Sequence, residues 1–200
     1  MPTATHDANP NSETEIPVET DEQLMLAFAG GRNDSFSELF RRYKQPLYGF
    51  FRRRLAASAH TQAEELTQET FLAVLHAASR YEPAALFRTY LYGIAFRILS
   101  AHRRKTAFRA TFLGSTDVER EPGKLESPDA GLQIRQAVAR LERIDREALM
   151  LREFEQLSYA EIAELLQLPL NTVRSRLFRA RIALREILSA PPIARIEERS

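Results

Sequence analysis

Five arginines lie within residues 174–185, and no acidic residue separates them. They are Arg174, Arg176, Arg179, Arg181 and Arg185. Among them Val173, Leu177 and Ala180 recur at helical spacing, which predicts an amphipathic helix with one apolar stripe. Guanidinium, amide and hydroxyl groups on the polar side of such a helix can bond to phosphates and base edges in a DNA major groove. The alternative is a surface helix that is merely rich in arginine.

The residues before the arginines predict a second helix and a tight turn. Ser158 and Glu161 fit the S-x-x-E capping box, so a helix should begin at Tyr159. Pro169 cannot continue that helix, and Asn171 is a favourable N-cap for the next one. Two short helices joined in this way, with cations on the second, are typical of a helix-turn-helix that binds DNA.

A second stretch without acids runs from Pro83 to Thr116. Its basic residues are Arg88, Arg97, Arg103, Arg104, Lys105 and Arg109. Helical spacing places Tyr90, Gly93, Arg97, Ser100 and Arg104 on one side, opposite an apolar stripe that includes Phe87 and Leu91. An aromatic ring beside cations suits a single strand whose bases stack and whose phosphates need neutralising. Alternatively, Tyr90 packs in the core and the cations are only solvated.

Composition excludes several classes of protein. The 200 residues are 44% hydrophobic and 28% charged, which is ordinary for a globular chain. The absence of cysteine excludes disulfides, thiol catalysis and cysteine-ligated metals. His60 and Glu64 have ligand-like spacing, but a surface contact explains them, so no metal and no cofactor are predicted. Without a phosphate loop or a nucleophile elbow, the chain is not expected to be an enzyme. The lack of a long apolar run or a signal-peptide pattern favours the cytoplasm.

The charges are segregated along the chain. Residues 1–22 contain six acids and neither lysine nor arginine. The rest has 28 basic and 21 acidic residues, a net charge of +7. A basic body of this kind suggests a polyanionic partner.

The pattern predicts an all-α chain of two small helical domains joined by a flexible linker. We expect a disordered acidic tail at 1–20, a first domain at 21–106, the linker at 107–128, a second domain at 129–189 and a tail at 190–200. Further capping boxes are predicted at Ser35 with Glu38 and at Thr61 with Glu64. Pro46 should kink or interrupt its helix, and another helix should run from about Ala85 to Lys105.

Three segments occur in a characteristic order: EELTQETFLAVL (64–75), FRTYLYGIAFRILSAHRRK (87–105) and NTVRSRLFRARIALR (171–185). Together they resemble the bacterial sigma-70 family of RNA polymerase sigma factors. The short form with regions 2 and 4 alone is the extracytoplasmic function (ECF) subfamily, and the resemblance covers residues 22 to about 188. It implies a subunit that directs core polymerase to promoters, binds promoter DNA and takes no small-molecule substrate.

The resemblance also implies protein partners. Glu65, Gln68 and Glu69 should dock on the coiled coil of the polymerase β′ subunit, while Leu66 and Leu72 face inward. The second domain should meet the β flap. An anti-sigma factor, which in this family can sit at the inner membrane, should hold the protein inactive.

The resemblance assigns DNA contacts to both domains. The −10 element should meet Tyr81, Phe87, Arg88, Tyr90, Arg97 and Arg104. The −35 element should meet Asn171, Thr172, Arg174, Ser175 and Arg179. Tyr90 replaces the family's usual Trp, and Arg97 replaces a frequent Asn, so the preferred −10 bases do not follow. The alternative function is a stand-alone helix-turn-helix regulator, which would not need the EELTQETF segment.

Overall fold

The computed structural model describes residues 19–56, 58–113 and 130–189, and in these ranges the chain is helical without strands. The helices are α1 Asp21–Ala29, α2 Asn33–Arg52, α3 His60–Ala77, α4 Phe87–Leu113, α5 Ala130–Ala139, α6 Arg143–Glu153, α7 Tyr159–Leu166 and α8 Leu170–Ser189, with a 3₁₀ turn at Ala78–Arg80. The predicted all-α class is therefore confirmed. Both predicted tails, save for residues 19 and 20, and most of the predicted linker lie outside the described residues.

Helices α1–α4 form an N-terminal bundle around buried aromatic and aliphatic side chains. Phe50 and Phe51 are fully buried and meet edge to face, with ring centroids 5.1 Å apart. Helix α2 continues through Pro46, so the predicted interruption is wrong. Leu47 and Phe50, both buried just beyond the proline, fix the second half of α2 to the core. Tertiary packing of this kind outweighs the loss of one backbone hydrogen bond.

Two of the three predicted capping boxes do not form. Helix α2 begins before Ser35, whose hydroxyl accepts a bond from Arg32 Nε at 2.5 Å. Glu38 instead binds Arg41 and Arg42. The N-cap of α3 is Ala59, without a side-chain bond, so Thr61 lies inside the helix. A reciprocal box does form at Thr20 with Gln23, at the start of α1.

Helix α4 is longer than predicted at its C-terminal end. It begins at Phe87 and extends to Leu113, beyond the expected end at Lys105. No glycine or proline occurs between Thr106 and Leu113, so nothing in that stretch breaks the helix. The predicted linker boundary at residue 107 therefore falls inside α4.

Helices α5–α8 form a C-terminal bundle that contains the predicted helix-turn-helix. The box of Ser158 and Glu161 caps α7 as predicted, with the Glu161 amide donating to the Ser158 hydroxyl at 3.2 Å. Gln167 ends α7 in the left-handed region, at φ 55°. Helix α8 starts at Leu170, and the amides of Thr172 and Val173 donate to the Pro169 carbonyl. Asn171 therefore lies in the first turn and is not the N-cap.

The two bundles pack against each other. Their buried apolar side chains belong to one continuous cluster, and α4 contacts α7. Gly93 of α4 lies at this contact, where an added Cβ would be 4.0 Å from Leu165 Cδ1 of α7. The candidate DNA-binding helix of the first bundle therefore lies next to the second bundle.

Candidate nucleic-acid interface

The N-terminal half of α8 presents a polar, exposed face. Asn171, Arg174, Ser175 and Arg179 are exposed, and Thr172 is half-buried. Arg174 Nη1 lies 3.5 Å from Asn171 Oδ1, and the Ser175 hydroxyl donates to the Thr172 carbonyl at 2.9 Å. The structure thus brings all the −35 candidates together at the start of one helix.

Phe178 is a further exposed residue on this face. Its side chain is 65% exposed, and it follows Arg174 by four residues and Ser175 by three. An aromatic ring can contact the methyl group of thymine in the major groove. Helical spacing alone places Phe178 with these residues, although it is not among the site residues predicted from the sequence.

Two of the five arginines on α8 are engaged inside the C-terminal bundle. Arg176 Nη1 donates to Asp145 at 2.8 Å and to Glu142 at 3.3 Å. Arg181 Nη2 donates to Glu153 at 2.8 Å, and its Nη1 to the Tyr159 hydroxyl at 3.3 Å. The acids lie on α6 and just before it, far from α8 in the sequence. The absence of acids between the arginines of α8 therefore gave no sign of these ion pairs. Within the described residues Arg174, Arg179 and Arg185 form no ion pair.

The −10 candidates Tyr81 and Phe87 lie in the core of the N-terminal bundle. Phe87 is 1% exposed, and its ring meets Tyr43 and Tyr81 at centroid distances of 5.5 and 6.2 Å. Burial, with a smaller contribution from Glu22, raises the pKa of Tyr81 to about 12. Both side chains are therefore buried in this arrangement, with Tyr81 only 8% exposed.

The remaining −10 candidates lie in two places: Tyr90 and Arg88 are partly covered by neighbouring residues, whereas Arg97 and Arg104 lie on an open surface. Tyr90 is half-buried and its ring lies 5.1 Å from that of Tyr81. Arg88 Nη2 lies 3.8 Å from Glu161 of the C-terminal bundle. Arg97 and Arg104 are exposed and line an open concavity of about 560 Å³ with Glu69.

Helix α3 exposes the predicted polymerase-binding side chains. Glu65, Gln68 and Glu69 are exposed and Leu66 is buried, as expected. Leu72, however, is 53% exposed, so its predicted inward orientation is wrong. It follows Glu65, Gln68 and Glu69 by seven, four and three residues, which places it on their face. We call these four residues the α3 face.

Glu22 of α1 positions the start of α4. Its Oε1 accepts a hydrogen bond from the Phe87 amide at 2.6 Å, which satisfies one of the free amides at the helix N-terminus. A carboxylate is also favoured there by the helix dipole. The two residues are 65 positions apart, so local sequence patterns gave no sign of this contact.

Metal binding and membrane insertion receive no support from the described residues. They contain no cluster of three or more histidines and acids that could hold a metal. His60 lies 3.2 Å from the Tyr48 hydroxyl and 3.3 Å from Arg52 Nη2. None of the described helices combines the length and apolar character needed to cross a membrane.

The described residues thus form two helical bundles, each with an exposed polar surface of the kind that a DNA-binding protein presents. Family models for Sigma-70 region 2 and for Sigma-70, region 4 match residues 39–109 and 131–184 respectively. The chain therefore belongs to the sigma-70 family of RNA polymerase sigma factors, in its ECF subfamily. It is a transcription initiation factor that directs core polymerase to promoters, and members of this family are not enzymes.

Individual relatives agree with this assignment. The RNA polymerase sigma-H factor of Pseudomonas aeruginosa is 32% identical over 190 residues, covering 86% of this chain and 96% of the relative. The ECF sigma factor SigE of Mycolicibacterium smegmatis is 34% identical over 163 residues, covering 78% of this chain and 62% of the relative. Among solved structures, CnrH in complex with the cytosolic domain of CnrY has a TM-score of 0.65 at 23% identity. It covers 87% of this chain and all of CnrH, and it supports the fold.

Proposed function

We propose that the two modules divide promoter recognition between them. Region 2, formed by α1–α4, binds core polymerase and opens the −10 element. Region 4, formed by α5–α8, binds the −35 duplex. The single observation that carries this division is the separation of two polar surfaces on different bundles. One is the exposed start of α8, and the other combines the α3 face with the neighbouring concavity lined by Arg97 and Arg104.

The −35 contacts are proposed for Asn171, Thr172, Arg174, Ser175 and Arg179, with Phe178 among them. Amide and guanidinium groups bond to base edges, and the cations neutralise phosphates. Each good bidentate contact contributes about 1–3 kcal/mol of discrimination between bases. The exposure of these side chains at the start of α8 supports the proposal.

The −10 contacts are proposed for Arg97 and Arg104, with Tyr90 and Arg88 beside them. Capture of unstacked bases can offset the cost of opening the duplex, which is a few kcal/mol per flipped base. Tyr81 and Phe87 are proposed to contribute indirectly, because their buried rings pack against each other at the start of α4. Two modest contacts on one chain gain affinity when both elements are bound together.

The α3 face, Glu65, Gln68, Glu69 and Leu72, is proposed to dock on the β′ coiled coil of core polymerase. An exposed leucine among polar side chains suits such a contact, because apolar area is buried at the centre of an interface. Region 4 would meet the β flap. Because its partners are polymerase and chromosomal DNA, the protein would act in the cytoplasm.

An anti-sigma factor is a further proposed partner. CnrH was solved in complex with the cytosolic domain of CnrY, and another neighbour is RpoE of Bartonella quintana in complex with the anti-sigma factor NepR. RpoE has a TM-score of 0.65 at 23% identity and covers 78% of this chain and 98% of RpoE. A similar fold makes a comparable complex reasonable here.

The polymerase contact is tested by reversing one charge on the α3 face. Glu69→Lys should weaken binding to core polymerase at least about tenfold, because charge reversal at an interface is costly. Asp34→Lys, at an exposed position of α2, is the matched control and should bind normally. Affinity is measured by titration of labelled protein with core polymerase, and −35 duplex binding should not change. Equal affinity of both variants for polymerase would contradict the assignment.

A further inference from the structure

Two acidic residues at the start of α1 contact the aromatic side chains at the start of α4. Glu22 accepts the hydrogen bond from the Phe87 amide described above. Asp21 accepts a hydrogen bond from the Tyr43 hydroxyl, and another from Arg42 Nη1 at 2.7 Å. The Tyr43 ring packs against the Phe87 ring, with centroids 5.5 Å apart. Both acids therefore act on Phe87, Glu22 through the backbone amide and Asp21 through Tyr43.

Tyr90 is the member of this group that reaches the surface. Its ring lies 5.1 Å from the Tyr81 ring and 6.2 Å from the Phe87 ring. Those two rings are buried, whereas Tyr90 is partly exposed. The Tyr81 hydroxyl has no hydrogen-bond partner among the described residues, so packing alone holds that ring. We call Tyr43, Tyr81, Phe87 and Tyr90 the aromatic cluster.

Glu22 connects the first turn of α4 to the rest of its bundle. The loop before α4, residues 82–86, is exposed throughout. Within the first turn, the amides of Thr89 and Tyr90 donate to the Leu86 carbonyl at 2.9 and 3.2 Å. The Phe87 amide precedes these bonds and is bonded to the Glu22 carboxylate instead. A hydrogen bond to a carboxylate is roughly twice as strong as one between neutral groups, so this contact restrains Phe87 well.

Helix α1 is capped and anchored by residues other than these acids. The Gln23 amide donates to the Thr20 hydroxyl at 3.2 Å, and the Thr20 amide donates to Gln23 Oε1 at 2.8 Å. Leu24 and Met25 are buried in the core. The two acids are therefore available for contacts with α2 and α4, and their loss would leave the cap and the buried side chains of α1 in place.

We propose that Asp21 and Glu22 are positioning residues for −10 binding, because they hold the aromatic cluster so that Tyr90 presents its exposed side to an unstacked base. The proposal rests on the proposed −10 function of α4. Neither acid touches DNA, and each acts through the cluster. A ring that is fixed in advance binds a base without a further cost of ordering. Glu22 contacts α4 directly, so its loss should have the larger effect.

The proposal is tested by fork-junction binding with reconstituted holoenzyme. The probe is a labelled duplex of a promoter that wild-type holoenzyme opens, with the −10 element left single-stranded. If Glu22→Ala leaves the start of α4 correctly placed in about a tenth of the molecules, affinity should fall about tenfold. Glu22→Gln should recover most of the affinity, because its side-chain oxygen also accepts a hydrogen bond.

Thr20→Ala is the matched control, because it weakens α1 without altering either acid. Loss of its hydroxyl cap should lower thermal stability, while the folded holoenzyme should bind the fork as wild type does. Affinity for core polymerase is measured for each variant, so that a defect there is not counted as a defect at the fork. Equal fork affinity of Glu22→Ala and Thr20→Ala would overturn the proposal, because α1 would then contribute only stability.

A second measurement follows the ring at position 90 without DNA. The sequence has no tryptophan, so Tyr90→Trp introduces a single one. In the full chain, adding Glu22→Ala should make its fluorescence more accessible to quenching by acrylamide, because the restraint on the cluster is lost. Adding Thr20→Ala should leave the quenching unchanged. Equal quenching with and without Glu22→Ala would overturn the proposal, even if the fork affinity had fallen.

A milder variant keeps the test decisive if Glu22→Ala loses helicity. Tyr43→Phe removes the bond to Asp21 but keeps the ring against Phe87. It should increase quenching and weaken fork binding in the same direction, by a smaller factor. No change in either measurement would count against the proposal.

Failure of the proposed −10 function would give a different result. Arg97→Ala holoenzyme would then bind the fork as tightly as wild type. The acrylamide measurement involves no DNA, so it would still show whether the two acids position the ring. If instead Arg97→Ala weakens fork binding and Glu22→Ala does not, the −10 function stands and the positioning role is wrong.

Discussion

The two helices that carry the DNA-binding candidates, α4 and α8, differ in what surrounds them. Helix α8 packs one stripe, with Val173 and Leu177 buried, and leaves the opposite face open. Helix α4 packs against its own bundle and also meets α7 of region 4. A helix covered on one side displays its polar face, whereas a helix covered on two sides displays only part of it.

The same difference divides the cations. On α8 the engaged arginines, Arg176 and Arg181, bind acids of their own region. On α4 Arg103 and Arg88 bind acids of the other region. Ion pairs within region 4 fix the position of α8 in its own bundle. Ion pairs between the regions make the surroundings of α4 depend on how the two regions are arranged. Substitutions can test this distinction residue by residue.

The largest effect is expected from Phe87, which resembles a DNA-binding residue in sequence but is buried. Phe87→Ala should lower the free energy of unfolding by about 3–5 kcal/mol, because it leaves a cavity in the aromatic core. Arg97→Ala, at an exposed position of the same helix, should change stability by less than about 0.5 kcal/mol. Urea unfolding followed by circular dichroism measures both.

Promoter opening should depend on Arg97, although the stability of the protein does not. Once corrected for folded fraction, Arg97→Ala should reduce open-complex formation on a promoter that wild-type holoenzyme opens. If Phe87→Ala were as stable as wild type and yet inactive in opening, direct contact between that ring and DNA would be the better account.

Local sequence patterns predicted the helix-turn-helix well. The capping box of Ser158 and Glu161, the break before α8 and the apolar stripe all depend on residues within a few positions of one another. The same pattern was misleading at Ser35 and Glu38, because Arg32, Arg41 and Arg42 engage those side chains. A capping box therefore requires partners that are not already taken by neighbouring cations.

Contacts between distant segments could not be predicted in this way. The Glu22 carboxylate caps α4 across 65 positions, and Arg54 reaches Glu147 across 93. The sequence pattern indicates two domains joined by a linker, but it does not indicate how the two domains pack against each other. Charge patterns indicate that partners exist, but only the packing of helices determines which acid meets which arginine.

An intermediate effect is expected from two arginines that are neighbours on α8. Arg174→Ala should weaken binding to the −35 duplex by about 1–3 kcal/mol, since a base or phosphate contact is lost. Stability should hardly change, because Arg174 forms no ion pair among the described residues. Fluorescence anisotropy with a labelled duplex measures the affinity.

Arg176→Ala is the matched control on the same helix. Its partners Asp145 and Glu142 lie in region 4, so the loss should lower stability modestly, by up to about 1 kcal/mol for a partly exposed pair. Duplex affinity of the folded protein should be close to normal. Equal losses of affinity in both variants would mean that the paired and unpaired arginines do not differ in function.

The smallest effect is expected at the helix caps. Ser158 and Thr61 both fit the capping-box pattern in the sequence, but only Ser158 is an N-cap in the structure. Ser158→Ala should destabilise region 4 by about 0.5–2 kcal/mol, because its hydroxyl accepts the Glu161 amide bond. Thr61→Ala should have little effect, since Thr61 is exposed within α3 and is not its N-cap. Thermal unfolding distinguishes the two variants. Glu161 also accepts a hydrogen bond from the Thr89 hydroxyl of α4, so Ser158→Ala should weaken this contact between the two regions as well.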